Sequence, residues 1–234
     1  MPRVQMEIRR TSLLAGAEAA QGTTVIIDVF RAFTTAAYAF ARGAREIWLV
    51  KAIEDAFALR RELPQALLIG ERDGRPLEGF DYGNSPSIIA QLDLADRIII
   101  QRTSAGTQGV IAARQAEEIL LGSLVCAEAT VRHIQKHRPH LVMLVAMGTS
   151  GLAVSAEDEL CAGYLDARLR GLRPDPHVLI QRVENLPAAQ EVRSGRLTHF
   201  PPTDLDCCLS LDEFDFAMVV ARRAKGLMAR AVPP

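Results

Sequence analysis

The sequence predicts an α/β protein in three layers, with helices on both faces of a mostly parallel sheet. Two observations carry that expectation. Uninterrupted β-branched runs, Val25-Ile26-Ile27 and Ile98-Ile99-Ile100, suit strands buried on both faces. Ala-rich stretches with helical spacing separate such runs, and strands alternating with helices imply a sheet covered by helices.

In chain order, the first strand, Val4 to Ile8, falls in the start MPRVQMEIRR, where charged and apolar residues alternate. Thr23 to Val29 follows, then an Ala-rich helix from Ala32 to Arg42, a strand from Glu46 to Val50 and a helix from Ile53 to Glu62. After a strand from Ala66 to Ile69, four Gly and two Pro lie between Gly70 and Pro86, which marks a long loop. A strand from Arg97 to Arg102 and helices from Thr107 to Leu120 and Ala127 to Lys136 come next. Leu141 to Met147 is an apolar run of buried-strand length, and Ser155 with Asp158 fits a capping box that opens a helix from Ala156 to Arg170. From about Pro174 the pattern is less regular, with a helical stretch around Leu186 to Arg193, loop-like Phe200 to Thr203, and a last strand from Phe216 to Val220.

The 234 residues carry no repeat, low-complexity tract or linker, so a single domain over 1–234 is expected. Hydrophobic residues make up 49% and charged residues 24%, an ordinary globular balance that argues against disorder. The net charge of −1 argues against a nucleic-acid partner held by bulk charge. No apolar run approaches the roughly 18 residues of a membrane span, and the start lacks the apolar core of a secretion signal. The cytoplasm is therefore the expected compartment. Cys126, Cys161, Cys207 and Cys208 form no CxxC pair and read as reduced and mostly buried. His133 and His137 read as cations at the end of their helix, on the surface, and Trp48 as core.

Ligands of open α/β sheets bind beyond the carboxyl ends of the strands, and four strand ends here are polar. The first reads Asp28-Val29-Phe30-Arg31, followed by Thr34 and Thr35. Asp28 can hold a divalent metal, attack phosphorus, or simply cap a helix. Arg31 offers a planar fork for oxyanions, or a surface ion pair. The second is the loop from Gly70 to Pro86, where Glu71 and Asp81 are candidate metal ligands, Arg72 and Arg75 candidate anion binders, and Asn84 or Ser85 the cap of the next helix. The third, Arg102-Thr103-Ser104-Ala105-Gly106-Thr107, can turn backbone N–H groups toward an anion at a helix start. The fourth, Gly148-Thr149-Ser150-Gly151, permits close backbone approach to a ligand. It precedes Glu157 and Asp158: Asp158 can cap the helix or hold a metal, and Glu157 is an equal candidate on spacing alone.

Five ordered segments resemble the 2-phosphosulfolactate phosphatase family: IIDVFRAFTTAAYAFARGA, LLIGERDGRPLEGFDYGNSP, TSAGT, GTSGLAVSAEDELCAGYL and CCLSLDEFDF. The resemblance covers nearly the whole chain. It implies a three-layer α/β fold and a Mg²⁺-dependent phosphatase that converts (2R)-phospho-3-sulfolactate to 3-sulfolactate and phosphate, a step towards coenzyme M. The family usually reads Leu-Arg-Ala-Thr-Thr-Thr where this chain has Phe30 to Thr35, and Thr-Thr-Asn-Gly-Thr where it has Thr103 to Thr107.

The expectation that follows is a Mg²⁺-dependent hydrolase of a small, multiply anionic phosphate monoester. Asp28 and Arg31 are the candidate catalytic pair, and Asp28, Glu71, Asp81 and Asp158 the candidate metal ligands. Arg72, Arg75, Asn84, Arg102, Ser104, Gly106, Thr107, Gly148 and Thr149 are the candidate substrate-binding residues. Either a water or Asp28 is the nucleophile. A phosphatase of another phosphorylated hydroxy acid, and a non-catalytic sensor of sulfonate or phosphate metabolites, stay open as alternatives. The oligomeric state stays open, with a homodimer one option because small α/β enzymes often pair as symmetric dimers.

Overall fold

The computed structural model describes residues 6–234. Ten strands and ten helices follow one another as β1 (Glu7–Ser12), α1 (Leu13–Glu18), β2 (Gly22–Ile27), α2 (Ala32–Ala41), β3 (Glu46–Leu49), α3 (Ile53–Glu62), β4 (Leu67–Arg72), β5 (Arg75–Pro76), α4 (Pro86–Ile89), β6 (Ile98–Arg102), α5 (Gly106–Ala112), β7 (Ala116–Gly122), α6 (Ala127–His137), β8 (Leu141–Ala146), α7 (Ala156–Leu169), α8 (Pro176–Glu184), α9 (Pro187–Arg193), α10 (Pro202–Leu209), β9 (Ala217–Arg223) and β10 (Gly226–Val232). The strands form one sheet in the order β1-β8-β2-β7-β9-β10-β3-β6-β4-β5. Five of its nine pairings are parallel, so the α/β class and the mostly parallel, helix-flanked sheet expected from the sequence are those observed.

Two parallel blocks, β1-β8-β2-β7 and β3-β6-β4, are joined through the β9–β10 hairpin. The pairings of β9 with β7, of β10 with β9 and of β3 with β10 are all antiparallel, so the two blocks run in opposite directions. Five steps separate β2 from β6. At roughly 20–25° of twist per step, β6 is turned by on the order of 100° relative to β2. That rotation lets the carboxyl ends of both blocks approach one region, and α5, which follows β6, packs against β2.

β2 is buried along its whole length between β8 and β7, as its apolar run requires. Ile26, Ile47, Ile69, Ile99, Leu121 and Val145, drawn from both blocks, meet α2 in the largest apolar cluster. Eight of the ten residues of α2 are buried, and its alanines allow that close approach. Val25, Ile27, Leu120 and Leu144 point to the other face and pack on α6, α7 and α8. Trp48, Leu68 and Ile100 pack on α3 in a third cluster. Helix α3 carries Glu54 and Asp55 in its first turn and Arg60 and Arg61 in its last, matching the helix dipole at both ends.

Several boundaries differ from the sequence expectation. Val4 and Gln5 lie outside the described residues, and β1 extends instead to Ser12. The helix expected over 107–120 ends at Ala112. Residues 116–122 form β7, because Ile119, Leu120 and Leu121 fill a slot between β2 and β9 and tertiary pairing overrides local helical spacing. The loop expected from Gly70 contains a tight β4–β5 hairpin. The part from Pro174 onward is regular: α8, α9 and α10 each begin at a proline, whose fixed φ and missing N–H suit the first helical turn. His133 is buried rather than on the surface, with Nε2 3.0 Å from Glu118 Oε1. Among the described residues the four cysteines are free, three of them buried, and no helix is long and apolar enough to cross a membrane.

Candidate active site

The loops after β2, β4, β6 and β8 converge on a cavity of about 500 Å³, closed on one side by α9 and the segment leading into α10. Three carboxylates are held there in the same manner, each by two backbone N–H groups. Asp28 Oδ1 accepts from Ala32 N–H (3.0 Å) and Oδ2 from Gly106 N–H (2.8 Å). Asp158 Oδ1 accepts from Val29 N–H and Oδ2 from Gly148 N–H, both at 2.8 Å. Glu71 Oε1 accepts from Ser104 N–H and Oε2 from Gly74 N–H, both at 2.6 Å, and the Ser104 hydroxyl adds a third bond to Oε2 at 3.1 Å.

The glycines at this site are required by contact. A Cβ on Gly106 would come 2.9 Å from Asp28 Oδ2 and 2.8 Å from the Ala32 Cβ. Gly148 has φ +65°, and a Cβ there would strike the Ala153 carbonyl at 2.2 Å.

Burial pushes the Asp28 carboxyl up to about 7, and the charges of Glu71 and Glu157 add to the shift. The bonds from Ala32 and Gly106 oppose it. Burial also raises Asp158 well above the usual carboxylate range, reinforced by Asp28 and Glu157, and burial raises Glu157. The physical content is crowding: acids out of water, near one another, favour the protonated form unless a cation joins them.

Arg31 is tied into the protein. Its Nη1 donates to Asp204 Oδ2 (2.7 Å) and to the His199 carbonyl (2.9 Å), and its Nη2 donates to the Gly74 carbonyl (3.2 Å). Its Cζ lies 4.0 Å from the centre of the Phe200 ring. Asp204 is fully buried, and its Oδ1 accepts from the Ser85 hydroxyl (2.6 Å), the Ser87 hydroxyl (2.6 Å) and Ser87 N–H (3.0 Å). Arg31 thus clamps the β4–β5 hairpin and the α10 segment over the end of β2.

The sequence profile of the 2-phosphosulpholactate phosphatase family matches residues 10–223. The chain belongs to that family. Its members are phosphoric monoester hydrolases. Among its relatives, a protein of Bacillus subtilis named probable 2-phosphosulfolactate phosphatase is 32% identical over 199 residues, covering 84% of this chain and 86% of that protein. One of the same name from Caldicellulosiruptor saccharolyticus is 33% identical over 208 residues, covering 82% and 86%. A third, from Parasynechococcus marenigrum, is 37% identical over 158 residues, covering 67% and 65%.

The structure brings together Asp28, Arg31, Glu71, Asn84, Ser104, Gly148, Thr149 and Asp158 around this cavity of a family phosphatase. Asn84 is 6% exposed, and its Oδ1 has no hydrogen-bond partner among the described residues. Gly106 sits behind Asp28, to which its N–H is committed. Other candidates lie elsewhere. Asp81 is not in the lining: Arg60 pairs with both its oxygens, at 2.9 and 3.2 Å, and Leu68 N–H donates to it at 2.7 Å, so it fastens a loop to β4. Arg72 and Arg75 are exposed on the β4–β5 hairpin, outside the lining. Arg102 is also outside, donating to the Glu71 carbonyl at 2.7 Å and to the Lys51 carbonyl at 3.3 Å. Thr107 is fully buried, and its hydroxyl donates to the Thr103 carbonyl at 3.0 Å, tying the start of α5 to the end of β6.

The cavity also has lining residues that the sequence did not single out: Asp73 on the hairpin, and Val192, Leu197, His199 and Phe200 near the C-terminus. No spacing rule links residue 31 to residue 204. The available signal was the cluster Phe200-Pro201-Pro202, which marks a helix start without saying what that helix covers.

Proposed function

We propose that the chain is a divalent-metal-dependent phosphatase acting on the phosphate monoester of a short 2-hydroxy acid, the class to which the 2-phosphosulfolactate in its relatives' names belongs. One observation carries the reading: in a chain of this family, three carboxylates, each pinned by two backbone N–H groups, surround one cavity. Anions repel a phosphate ester. A constellation of fixed acids suits such a substrate only with a cation between them.

The donor set fits Mg²⁺. Among the described residues no three His, Cys, Asp or Glu side chains are grouped as an all-protein cage. Mg²⁺ needs none: it is commonly held by one or two carboxylates, with waters and substrate phosphate completing the shell. Asp28 and Asp158, the second of which has its proton affinity raised by burial and by the first, would hold it, with Glu71 alongside. When bound, the ion offsets the charge of the phosphoryl oxygens in an in-line displacement.

The rest is work for this chain's own side chains. Both Asp28 oxygens are engaged by N–H donors, an arrangement that orients a ligand and blunts a nucleophile, so we assign the attack on phosphorus to water. Asn84, buried with an amide oxygen that has no partner among the described residues, lines the same cavity and can accept a hydrogen bond from a substrate there. Arg31 positions the walls through Asp204, His199 and Gly74.

The test is phosphate release from phosphosulfolactate, phospholactate, phosphoglycerate and phosphoglycolate, each with Mg²⁺ and with EDTA. The expected result is turnover that EDTA abolishes and Mg²⁺ restores. Folded protein that binds phosphate yet releases none from any ester would overturn the proposal in favour of a sensor.

A further inference from the structure

The charge balance of the cavity is uneven. Six of its lining residues are acids: Asp28, Glu71, Asp73, Glu157, Asp158 and Glu191. Arg31 is the single Lys or Arg in the lining among the described residues, and its guanidinium is committed to Asp204, to two carbonyls and to the Phe200 ring. His199 is the other lining side chain that can carry a positive charge. Its carbonyl accepts from Arg31 Nη1 at 2.9 Å, which fixes the backbone, whereas neither ring nitrogen has a hydrogen-bond partner among the described residues. The ring edge lies over Gly74, where an added Cβ would come 3.1 Å from Cδ2 and 3.2 Å from Nε2.

Gly74 also places that ring relative to the acids. Its N–H donates to Glu71 Oε2 at 2.6 Å, and its carbonyl accepts from Arg31 Nη2 at 3.2 Å. The imidazole therefore stands across Gly74 from a carboxylate of the proposed cation site, on the wall brought in by the segment before α10. A cation held by carboxylates offsets the charge of the phosphoryl group. It leaves the ester's other acid group, a carboxylate or sulfonate within a few bonds of phosphorus, in need of its own donor. An imidazole N–H meets that need in either charge state. Glu191 of α9 is exposed, so water and salt screen its repulsion of an anion.

We infer that the His199 ring is the donor that recognises the substrate's acid group remote from phosphorus, carboxylate or sulfonate. The inference rests on the phosphatase reading and deepens it, by naming the residue that distinguishes a phosphorylated acid from a plain alkyl phosphate. Removing the side chain leaves the His199 carbonyl, and with it the bond from Arg31, in place. His199→Ala is therefore a test of the ring rather than of the clamp.

The test measures kcat and KM in Mg²⁺ for wild type, His199→Ala, His199→Asn and His199→Gln. The four esters are phosphosulfolactate, with both acid groups, phospholactate, with the carboxylate, 2-hydroxyethanesulfonate phosphate, with the sulfonate, and ethyl phosphate, with neither. Calorimetric binding of 3-sulfolactate and of inorganic phosphate gives a second readout that needs no turnover. His199→Ala should lower the kcat/KM ratio of phosphosulfolactate to ethyl phosphate by about tenfold or more, with the loss carried in KM. It should weaken 3-sulfolactate binding by a similar factor relative to inorganic phosphate. Asn and Gln each place an amide N–H near one of the two ring nitrogens, and one of these variants should recover most of the loss. Whichever single-acid ester shows the same fall names the group that the ring holds. Equal losses on all four esters overturn the inference in favour of a structural role. A loss carried in kcat alone overturns it in favour of proton donation to the leaving oxygen. Hydrolysis of none of the esters by wild type overturns the phosphatase reading instead, and the calorimetric pair still decides whether the ring holds the acid.

Discussion

Replacing Asp204 by Ala isolates the contact that closes the cavity. The Arg31–Asp204 pair is 2.7 Å long, with side chains 3% and 0% exposed. Removing the carboxylate strands a buried guanidinium with two carbonyls and the Phe200 ring, and also frees two serine hydroxyls and Ser87 N–H. Breaking one side of a buried ion pair costs about 3–5 kcal/mol. Orphaned neutral donors add to that figure less than their separate values, because water from the cavity can reach them. At ~2–4 °C per kcal/mol for a chain of this size, the midpoint should fall by ~6–20 °C. Urea unfolding followed by circular dichroism measures the free energy, and Arg193→Ala provides the control. Arg193 lies 2.6 Å from Asp206, a shorter pair, but the two side chains are 37% and 61% exposed, so its loss should cost under about 1 kcal/mol. Arg31→Met combined with Asp204→Ala should be more stable than the sum of the single losses implies, since no uncompensated charge remains. A loss below about 1 kcal/mol for Asp204→Ala, or equal losses for the buried and exposed pairs, would refute the reasoning that burial rather than distance sets the strength.

Two further outcomes follow from the carboxylates. Burial lifts Asp28 from 3.8 to about 7, so its ionised form disfavours the fold: the stability it contributes is full below pH 4 and is lost as pH rises through 7. In EDTA, wild-type protein should therefore lose stability between pH 4 and pH 8, and Asp28→Asn should lose up to about 4 kcal/mol less across that window; in Mg²⁺ the same variant should release no phosphate, and matching pH slopes in thermal unfolding would contradict the assignment. Gly106→Ala sets a methyl 2.9 Å from Asp28 Oδ2. It should lower kcat by about a hundredfold and cost roughly 1–3 kcal/mol of stability, and unchanged turnover would show that Asp28 tolerates displacement.

What was legible in the sequence was what is local. Val25 to Ile27 must be buried on both sides wherever it lies, so β2 and the polar turn ending in Asp28 could be read directly. β7 could not, because residues 107–120 carry helical spacing locally and only the neighbours β2 and β9 make Ile119 to Leu121 a strand. The same limit separates Asp158 from Asp81. Both are acids near strand ends, but Arg60 on α3 claims Asp81, and that contact exists only once β4 and α3 are packed. Arg31 stood out at residue 31, and its partner 173 positions later did not.

The backbone donors explain why arginines chosen from sequence ended up outside the site. Gly- and Ser-rich turns at strand ends were expected to cradle the substrate anion. Instead, Gly106, Gly148, Ser104 and Gly74 give their N–H groups to Asp28, Asp158 and Glu71. The turns hold an anion, as such turns do, but it is the protein's own. Each of these carboxylates is fixed from two segments at once, Asp28 from α2 and α5 and Asp158 from the turns after β2 and β8, so the acids are preorganised without any cation present. Under the proposed metal-dependent reading, such a site would recognise phosphate through a cation held by these carboxylates and would need no ring of arginines. Arg31 then serves as the clamp that brings the C-terminal wall over the cavity, through Asp204 and the carbonyls of His199 and Gly74.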